Sequence, residues 1–222
     1  MLLRTLTDNW SPFLRAFWMT IRLTAAGGAL ALGMGTALAV MRVSPAPILR
    51  AVGAAWVNVV RNTPLTLVFI FVFFGLPKLG FGFSPFAVAV LSLGAYTAAF
   101  VCETVRSGIN SVPVGQAEAA RALGMTFPQT LGAVVLPQAL RAVVPPLASV
   151  LIALTKNTTI AAGFGVAEPG ALRQALSEQN PVTGLSYQAM PVLLWVTIGF
   201  LVLILPMSLG QQVLERRWAV RR

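Results

Sequence analysis

Residues 118–137 read EAARALGMTFPQTLGAVVLP. They form a polar island in a chain that is otherwise mostly apolar, and a charged segment held between two apolar runs has to meet something in water. The segment from Ser107 to Pro137 reads as two short helices joined by a turn. Pro113 precedes the first helix, which Gln116 to Leu123 fill. Ala117, Ala119, Ala120 and Ala122 make it a strong helix former with little bulk, and so thin enough to sit deep in a groove on a partner. Gly124 falls where a helix C-terminus wants a left-handed residue. Thr126 is placed to cap the second helix, with Pro128 in its first turn. That helix runs toward Leu136 and Pro137, near which the chain returns to apolar sequence. The alternative is an interfacial helix with no partner.

Composition sets the class. Of 222 residues 57% are hydrophobic and only 10% charged, and the mean hydropathy is +0.80. A soluble domain of this size needs far more polar surface, so the chain reads as a polytopic membrane protein, all α-helical. Its net charge of +10 is explained by arginines gathered on one membrane face, not by nucleic-acid binding. Cys102, the only cysteine, cannot form an internal disulfide and reads as packing. The first apolar run has neither the short core nor the small-residue cleavage site of a signal peptide.

A span needs about 20 mainly apolar residues. Five stretches qualify, from about Trp18 to Val40, Ala54 to Leu76, Phe83 to Cys102, Val143 to Ala167, and Met190 to Leu209. No repeat or linker divides them, so residues 1–222 read as one membrane domain with a loop at 107–137. Arg42, Arg50, Arg61, Arg106, Arg121, Arg141, Arg216, Arg217, Arg221 and Arg222 fall on one side. Arg4, Arg15, Lys78 and Arg173 fall on the other. The positive-inside rule then places the Glu118 loop and the C-terminus in the cytoplasm and the N-terminus outside. Residues 1–17 carry apolar side chains at helical spacing. They read either as a segment lying in the outer interface, bent at Pro12, or as an extension of the first span. Ala25, Ala29, Gly33 and Ala37 form a small-residue ladder that lets another helix approach, and Pro206 is expected to kink the last span.

The spacing from Glu118-Ala119-Ala120 through Gly124 to Leu136-Pro137 closely resembles the cytoplasmic coupling loop of ABC importer permeases. The resemblance extends over nearly the whole chain. RNTPL (61–65), YTAAFVCETVRSGI (96–109), GQAEAARALGM (115–125), LPQALR (136–141) and KNTTI (156–160) are similar to segments of the polar amino-acid permeases of that family. MRVSP, VRNTPLTL, SGIN, LIALTKNTTIA and GVAE look particularly like the actinobacterial glutamate importer permeases. The chain is more compact between its second and third spans than some such relatives. The resemblance implies a type I permease fold in the bacterial cytoplasmic membrane. Its implied partners are two ATPase subunits, a second permease that is a different chain, and an extracytoplasmic binding protein. ATP and Mg would be held by the ATPase, whose contacts here would include Glu118 and Arg121. No P-loop, histidine or cysteine cluster is present, so the chain is not read as an enzyme and no cofactor or metal is assigned to it.

Polar residues inside spans are candidates for the solute path, because burying them in lipid is costly. Lys156, Asn157, Thr158 and Thr159 follow Pro145-Pro146, where the helix is expected to be irregular and to free backbone groups. Many relatives carry KDTSL at this place, and those that move cationic amino acids often have a carboxylate where Asn157 stands. Its absence, with Lys156 and Arg61 at hand, points to a carboxylate-bearing solute, glutamate first. Lys156 instead pairs with Glu103 if its role is structural. Arg61 either binds the substrate carboxylate or pairs with Glu103, and Pro64 marks a gate. Arg22 is expected to snorkel. Glu168 and Glu178 lie in a loop that either docks a binding protein or is simply solvated. Other polar amino acids (glutamine, aspartate, arginine), a recruiting scaffold and a passive channel remain as alternatives.

Overall fold

The computed structural model describes residues 2–44, 46–178 and 189–218. The helices are α1 (Leu2–Asp8), α2 (Trp10–Val43), α3 (Pro47–Arg61), α4 (Leu65–Lys78), α5 (Pro85–Asn110), α6 (Val114–Ala122), α7 (Phe127–Phe164), α8 (Pro169–Glu178) and α9 (Ala189–Trp218). Among the described residues there is no strand. Helices α2, α5, α7 and α9 are each long and apolar enough to cross a membrane, and α3 with α4 makes a bent fifth candidate.

The first span is longer than Trp18 to Val40. Helix α2 begins at Trp10 and runs unbroken past Pro12. Proline is tolerated there because the first-turn N–H groups have no partner within the helix. Residues from Trp10 on therefore extend the first span, whereas Leu2–Asp8 form a separate short helix, α1, beside α9.

The second span, expected as one segment from Ala54 to Leu76, is instead broken. Helices α3 and α4 meet at 106°. Helix α3 ends because Pro64 disfavours helical backbone at Thr63. Local side chains then satisfy its last carbonyls: Asn62 Nδ2 donates to Asn58 O at 2.7 Å and Thr63 Oγ1 to Val59 O at 2.8 Å.

Helix α5 starts at Pro85 behind a Ser84 cap, whose Oγ accepts from Ala87 N at 3.3 Å. It continues past Cys102 to Asn110, which places Glu103 and Arg106 inside a helix. Cys102 is fully buried, as a packing role requires.

Helix α7 joins the 107–137 loop to the fourth span without a break. It is π-helical over Thr130–Val135, α-helical over Leu136–Asn157 and 3-10 over Thr158–Phe164. Pro145 and Pro146 lie inside the regular part, so the expected irregularity is not at them but on either side. A second π turn, Phe71–Gly75, sits in α4. Each π turn ends at a Leu-Pro pair, Leu76-Pro77 and Leu136-Pro137. A proline ring clashes with the carbonyl four residues back and offers no N–H to it, and widening the preceding turn relieves both faults. Helix α9 is continuous through Pro206.

Two glycines set how closely α2 approaches α5. A Cβ on Gly35 would stand 2.5 Å from Val101 Cβ and 2.7 Å from Ala98 O, and one on Gly94 would stand 2.5 Å from Leu30 Cδ2. The ladder Ala25, Ala29, Gly33 and Ala37 is exposed on this chain. The face that meets α5 carries Gly27, Ala31 and Gly35. Ridge-in-groove crossing selects the residues opposite a partner's side chains, and small size alone does not locate that face. At the far end of the bundle, Phe69 of α4 stacks on Phe164 with ring centroids 4.9 Å apart, within a core that includes Leu23, Val88 and Leu93.

Gly35→Ala is therefore expected to lower stability by about 1–3 kcal/mol through overpacking. Gly33→Ala, which meets nothing within 4 Å, should be neutral or stabilising by up to about 1 kcal/mol. Thermal unfolding of the solubilised chain checks the pair.

Candidate functional site: a coupling turn and two polar cavities

Helix α6 ends as the sequence requires. Gly124 takes φ +82°, Met125 N donates to Ala120 O at 3.2 Å and Gly124 N to Arg121 O at 2.9 Å. This is the paired bonding of a Schellman turn. Thr126 then opens α7, its backbone N–H and hydroxyl both donating to Gln129 Oε1 at 2.9 and 3.0 Å. Ala120 is buried against the start of α7, while Glu118, Ala119 and Arg121 are exposed. Leu136 and Pro137 do not end this second helix, which runs on into the span.

Two residues beside the turn were not singled out from sequence. Leu123 is 85% exposed and Phe127 is 75% exposed. Together with Glu118 and Arg121 they give the turn an apolar tip flanked by charge, the composition of a docking surface. Large apolar residues inside a polar island were the available signal.

Between α5 and α7 lies a cavity of about 200 Å³ lined by Tyr96, Thr97, Phe100, Val150, Ala153, Leu154 and Asn157. Asn157 is the one member of the 156–159 run that lines it. Lys156 and Thr159 are exposed. Thr158 is buried, its hydroxyl donating to Thr155 O at 2.9 Å. The change from α to 3-10 winding at Thr158 turns these neighbours onto different faces. Tyr96 and Thr97 complete the polar lining and were missed, because an aromatic and a threonine in a span read as packing.

A second cavity, about 390 Å³, is lined by Arg61, Glu103, Thr104, Arg106, Ser107, Gly108, Ser111, Ala142 and Pro146. Here Glu103 meets three guanidinium groups. Arg42 Nη1 bonds Oε1, Arg106 Nη2 bonds Oε2 at 2.9 Å, and Arg61 Nη1 lies 3.7 Å from Oε1. The expected Lys156–Glu103 bridge is not formed, and Lys156 makes no ion pair among the described residues. Arg42, at the end of α2, takes the place proposed for it. Arg106 is one turn from Glu103 and legible from their spacing, whereas Arg42 is brought by packing alone. The Arg61 pairing holds, but loosely. Its Cζ also lies 5.5 Å from the centre of the Phe100 ring, within cation–π range. Since Phe100 lines the first cavity and Arg61 the second, this contact separates the two. Pro64 stands three residues on, at the α3–α4 bend. Arg22 is exposed, its guanidinium 4.9 Å from the Phe86 ring.

Residues 29–220 match the family described as "Binding-protein-dependent transport system inner membrane component". The chain belongs to that family of transporter membrane subunits. It is 45% identical to the "Glutamate transport system permease protein GluC" of Corynebacterium glutamicum, over 97% of both chains. It is 35% identical to the "Probable glutamine ABC transporter permease protein GlnM" of Bacillus subtilis, over 96% of this chain and 95% of that one. Among solved structures, an amino acid ABC transporter crystallised with histidines superposes with a TM-score of 0.87 at 27% identity, covering 96% of this chain and 97% of that one. The inward-facing methionine transporter MetNI has the same fold, with a TM-score of 0.73 at 22% identity, covering 95% of this chain and 98% of that one.

Glu168 is not in a solvated loop. It follows α7 and is fully buried, lining a cavity of about 330 Å³ with Arg15, Pro12 and Met19. Neither oxygen makes a well-formed hydrogen bond. Burial raises its pKa to about 7, and the backbone N–H groups of Gly170 and Ala171 oppose the shift only in part. The side chain of Glu178, residues 179–188, and Arg221 and Arg222 lie outside what the structure describes. A carboxyl whose folded pKa is raised favours the fold fully below about pH 4.5, and that contribution is lost as pH rises through 7. The difference amounts to about 3 kcal/mol. Glu168→Gln is expected to flatten the fall in unfolding temperature of the permease between pH 5 and 8, and an unchanged slope would assign the pH response elsewhere.

Proposed function

We propose that this chain is a permease subunit of an ATP-driven importer of a polar amino acid, with L-glutamate as the substrate, working by alternating access. The observation that carries the reading is the Gly124 turn. It presents Glu118, Arg121, Leu123 and Phe127 to solvent at the start of a helix that runs on, unbroken, as a membrane span. A partner that moves this turn moves the span. In the proposed cycle two cytoplasmic ATPase subunits bind ATP and close, drawing the turn with them. This chain and a second, different permease rock from inward-open to outward-open, and a binding protein delivers the solute. The N-terminus lies outside and the C-terminus in the cytoplasm. ATP and Mg belong to the ATPase, and this chain supplies the path and the lever.

The path runs along Asn157 and then Arg61, with the break at Pro64 as the gate. Asn157 offers a donor and an acceptor without charge, and Arg61 lies beyond Phe100 as the first cation the solute meets. An uncharged lining followed by guanidinium groups suits a carboxylate-bearing solute and disfavours a cationic one. The glutamate permease from Corynebacterium glutamicum, alike over nearly its full length, supports the same substrate. Lys156, Thr158 and Thr159 lie outside this lining and receive no direct role in the path.

The test is ATPase activity of the chain co-purified with its partner subunits in lipid, with binding protein plus glutamate, glutamine, aspartate or arginine in turn. Stimulation by glutamate is expected. Stimulation by arginine alone would keep the importer and overturn the substrate. No complex and no stimulation would favour a scaffold. Leu123→Asp and Phe127→Asp should leave stability within about 0.5 kcal/mol, since both sites are exposed, yet remove the ATPase from the purified complex. Asn157→Asp should leave assembly intact and lower glutamate uptake at least about tenfold, because like charges ~4 Å apart at an effective dielectric near 20 repel by about 4 kcal/mol. Unchanged uptake would remove Asn157 from the path.

A further inference from the structure

We infer that the Glu103 cavity is a second, carboxylate-binding station, which takes the side-chain carboxylate of the departing solute on Arg61 and Arg106. The inference rests on the importer reading above and deepens it. Three guanidinium groups face one carboxylate there, so the cluster carries a surplus of two positive charges. Arg42 is 16% exposed and Glu103 20%, whereas Arg61 at 44% and Arg106 at 35% are open to solvent, so water screens part of this surplus and an anion that reaches those two would offset the rest.

The geometry says which cations are available. Both oxygens of Glu103 are already taken, Oε1 by Arg42 and Oε2 by Arg106 through Nη2 at 2.9 Å and Nε at 3.3 Å. Arg61 is the third and loosest partner, 3.7 Å from an oxygen that Arg42 occupies, and its side chain is 44% exposed. It can leave Glu103 without stripping that carboxylate of its bonds. Arg61 and Arg106 both line the cavity, whereas Arg42 does not. Two forked donors converging on one space are the arrangement that binds a carboxylate well. At about 390 Å³ the space is in the range of small-molecule sites. Its remaining polar wall suits the other end of an amino acid. Ser111 Oγ donates its proton to Gly108 O at 2.7 Å, which leaves its lone pairs to accept from an ammonium group. Ser107 adds a second exposed hydroxyl.

Occupancy has a structural consequence. Arg61 ends α3 and Glu103 belongs to α5, so an anion that draws Arg61 away loosens a link between those helices. The link lies toward the end of α5 that leads into α6 and the coupling turn. A solute bound there would hold the link open until it leaves.

The experiment is equilibrium binding of labelled glutamate to the intact complex in zwitterionic nanodiscs, without ATP or binding protein. Saturable binding is expected, competed by succinate and not by glutamine, and weakened by salt. Arg61→Gln should weaken it at least about tenfold, with Arg61→Lys restoring part of the loss. Thr159→Ala, at an exposed residue that lines neither cavity, should leave it within about twofold. Should Arg61→Gln fail to assemble, Ser107→Asp, which sets a carboxylate on the cavity wall, should abolish binding. Absence of saturable binding, equal competition by glutamine, or binding insensitive to both Arg61→Gln and Ser107→Asp would overturn the station. Glutamate-stimulated ATPase in the same preparation separates the two readings. With stimulation present and binding absent, the importer stands and the station falls; with no stimulation, the importer reading itself fails.

Discussion

Glu103 lies inside a mainly apolar helix, and a carboxylate in that position must be compensated or it destabilises the span. Compensation comes from three directions. Arg42 arrives from the end of α2, Arg61 from the end of α3, and Arg106 from one turn further along α5. One carboxylate therefore fixes the relative height of three helices at one end of the bundle. The glycine contacts between α2 and α5 set their separation, but apolar contacts tolerate sliding in a way that a two-oxygen carboxylate does not. The short α3, bent away from α4, packs Val57 and Val60 against α2 and α5, and Arg61 at its C-terminus adds the looser pairing to Glu103 and the Phe100 ring.

The all-helical class, four of the five spans and the Gly124 turn were legible in the sequence for physical reasons. Apolar runs of span length have few alternatives. Gly124 followed by Thr126 and Pro128 carries local chemistry for a stop and a start, and local chemistry survives folding. The Cys102 packing role also follows from a local environment. What failed depended on the angle between elements or on long-range pairing. The second span looked continuous because hydropathy ignores the backbone effect of Asn62-Thr63-Pro64. Pro145-Pro146 looked disruptive, yet the widened turns occur before Leu76-Pro77 and Leu136-Pro137.

The polar candidates divide along the same line. Arg61 with Glu103 came out as one of two readings, since both are costly in a span and one offsets the other. Lys156 with Glu103 used the same argument and failed. Charge complementarity names possible partners but cannot choose among four cations for one anion. Arg42 could not be found from sequence, because nothing local distinguishes it from the other arginines that anchor span ends. Asn157 was placed in the solute path for its uncharged donor and acceptor, and it lines a cavity. Its companions there, Tyr96 and Thr97, have no unusual sequence signal. Glu168 looked like a loop residue because it falls between the fourth and fifth apolar runs, just before Pro169. Burial by α2 and α8 is a tertiary fact, invisible to composition.

The two π turns bear on how motion passes through the bundle. Helix α7 carries the coupling turn at one end and Phe164 at the other, a span of roughly 55 Å at helical rise. Phe164 stacks on Phe69 and contacts Phe73, whose ring centroid lies 5.5 Å away, so α7 grips α4 at the end far from the turn. A regular helix transmits a displacement as a rigid rod. A widened turn has weaker geometry and is the place where such a rod bends. One π turn lies beside the coupling segment, with Ala120 buried in the helix that packs against it. The other lies within α4, beside the Phe69 stack. The regular section of α7 that follows the first of these turns, Leu136–Asn157, faces Tyr96 and Phe100 across the first cavity. Bending at the Leu136-Pro137 turn would tilt this section as a unit and change the width of that cavity, while the Phe164 stack keeps its far end against α4.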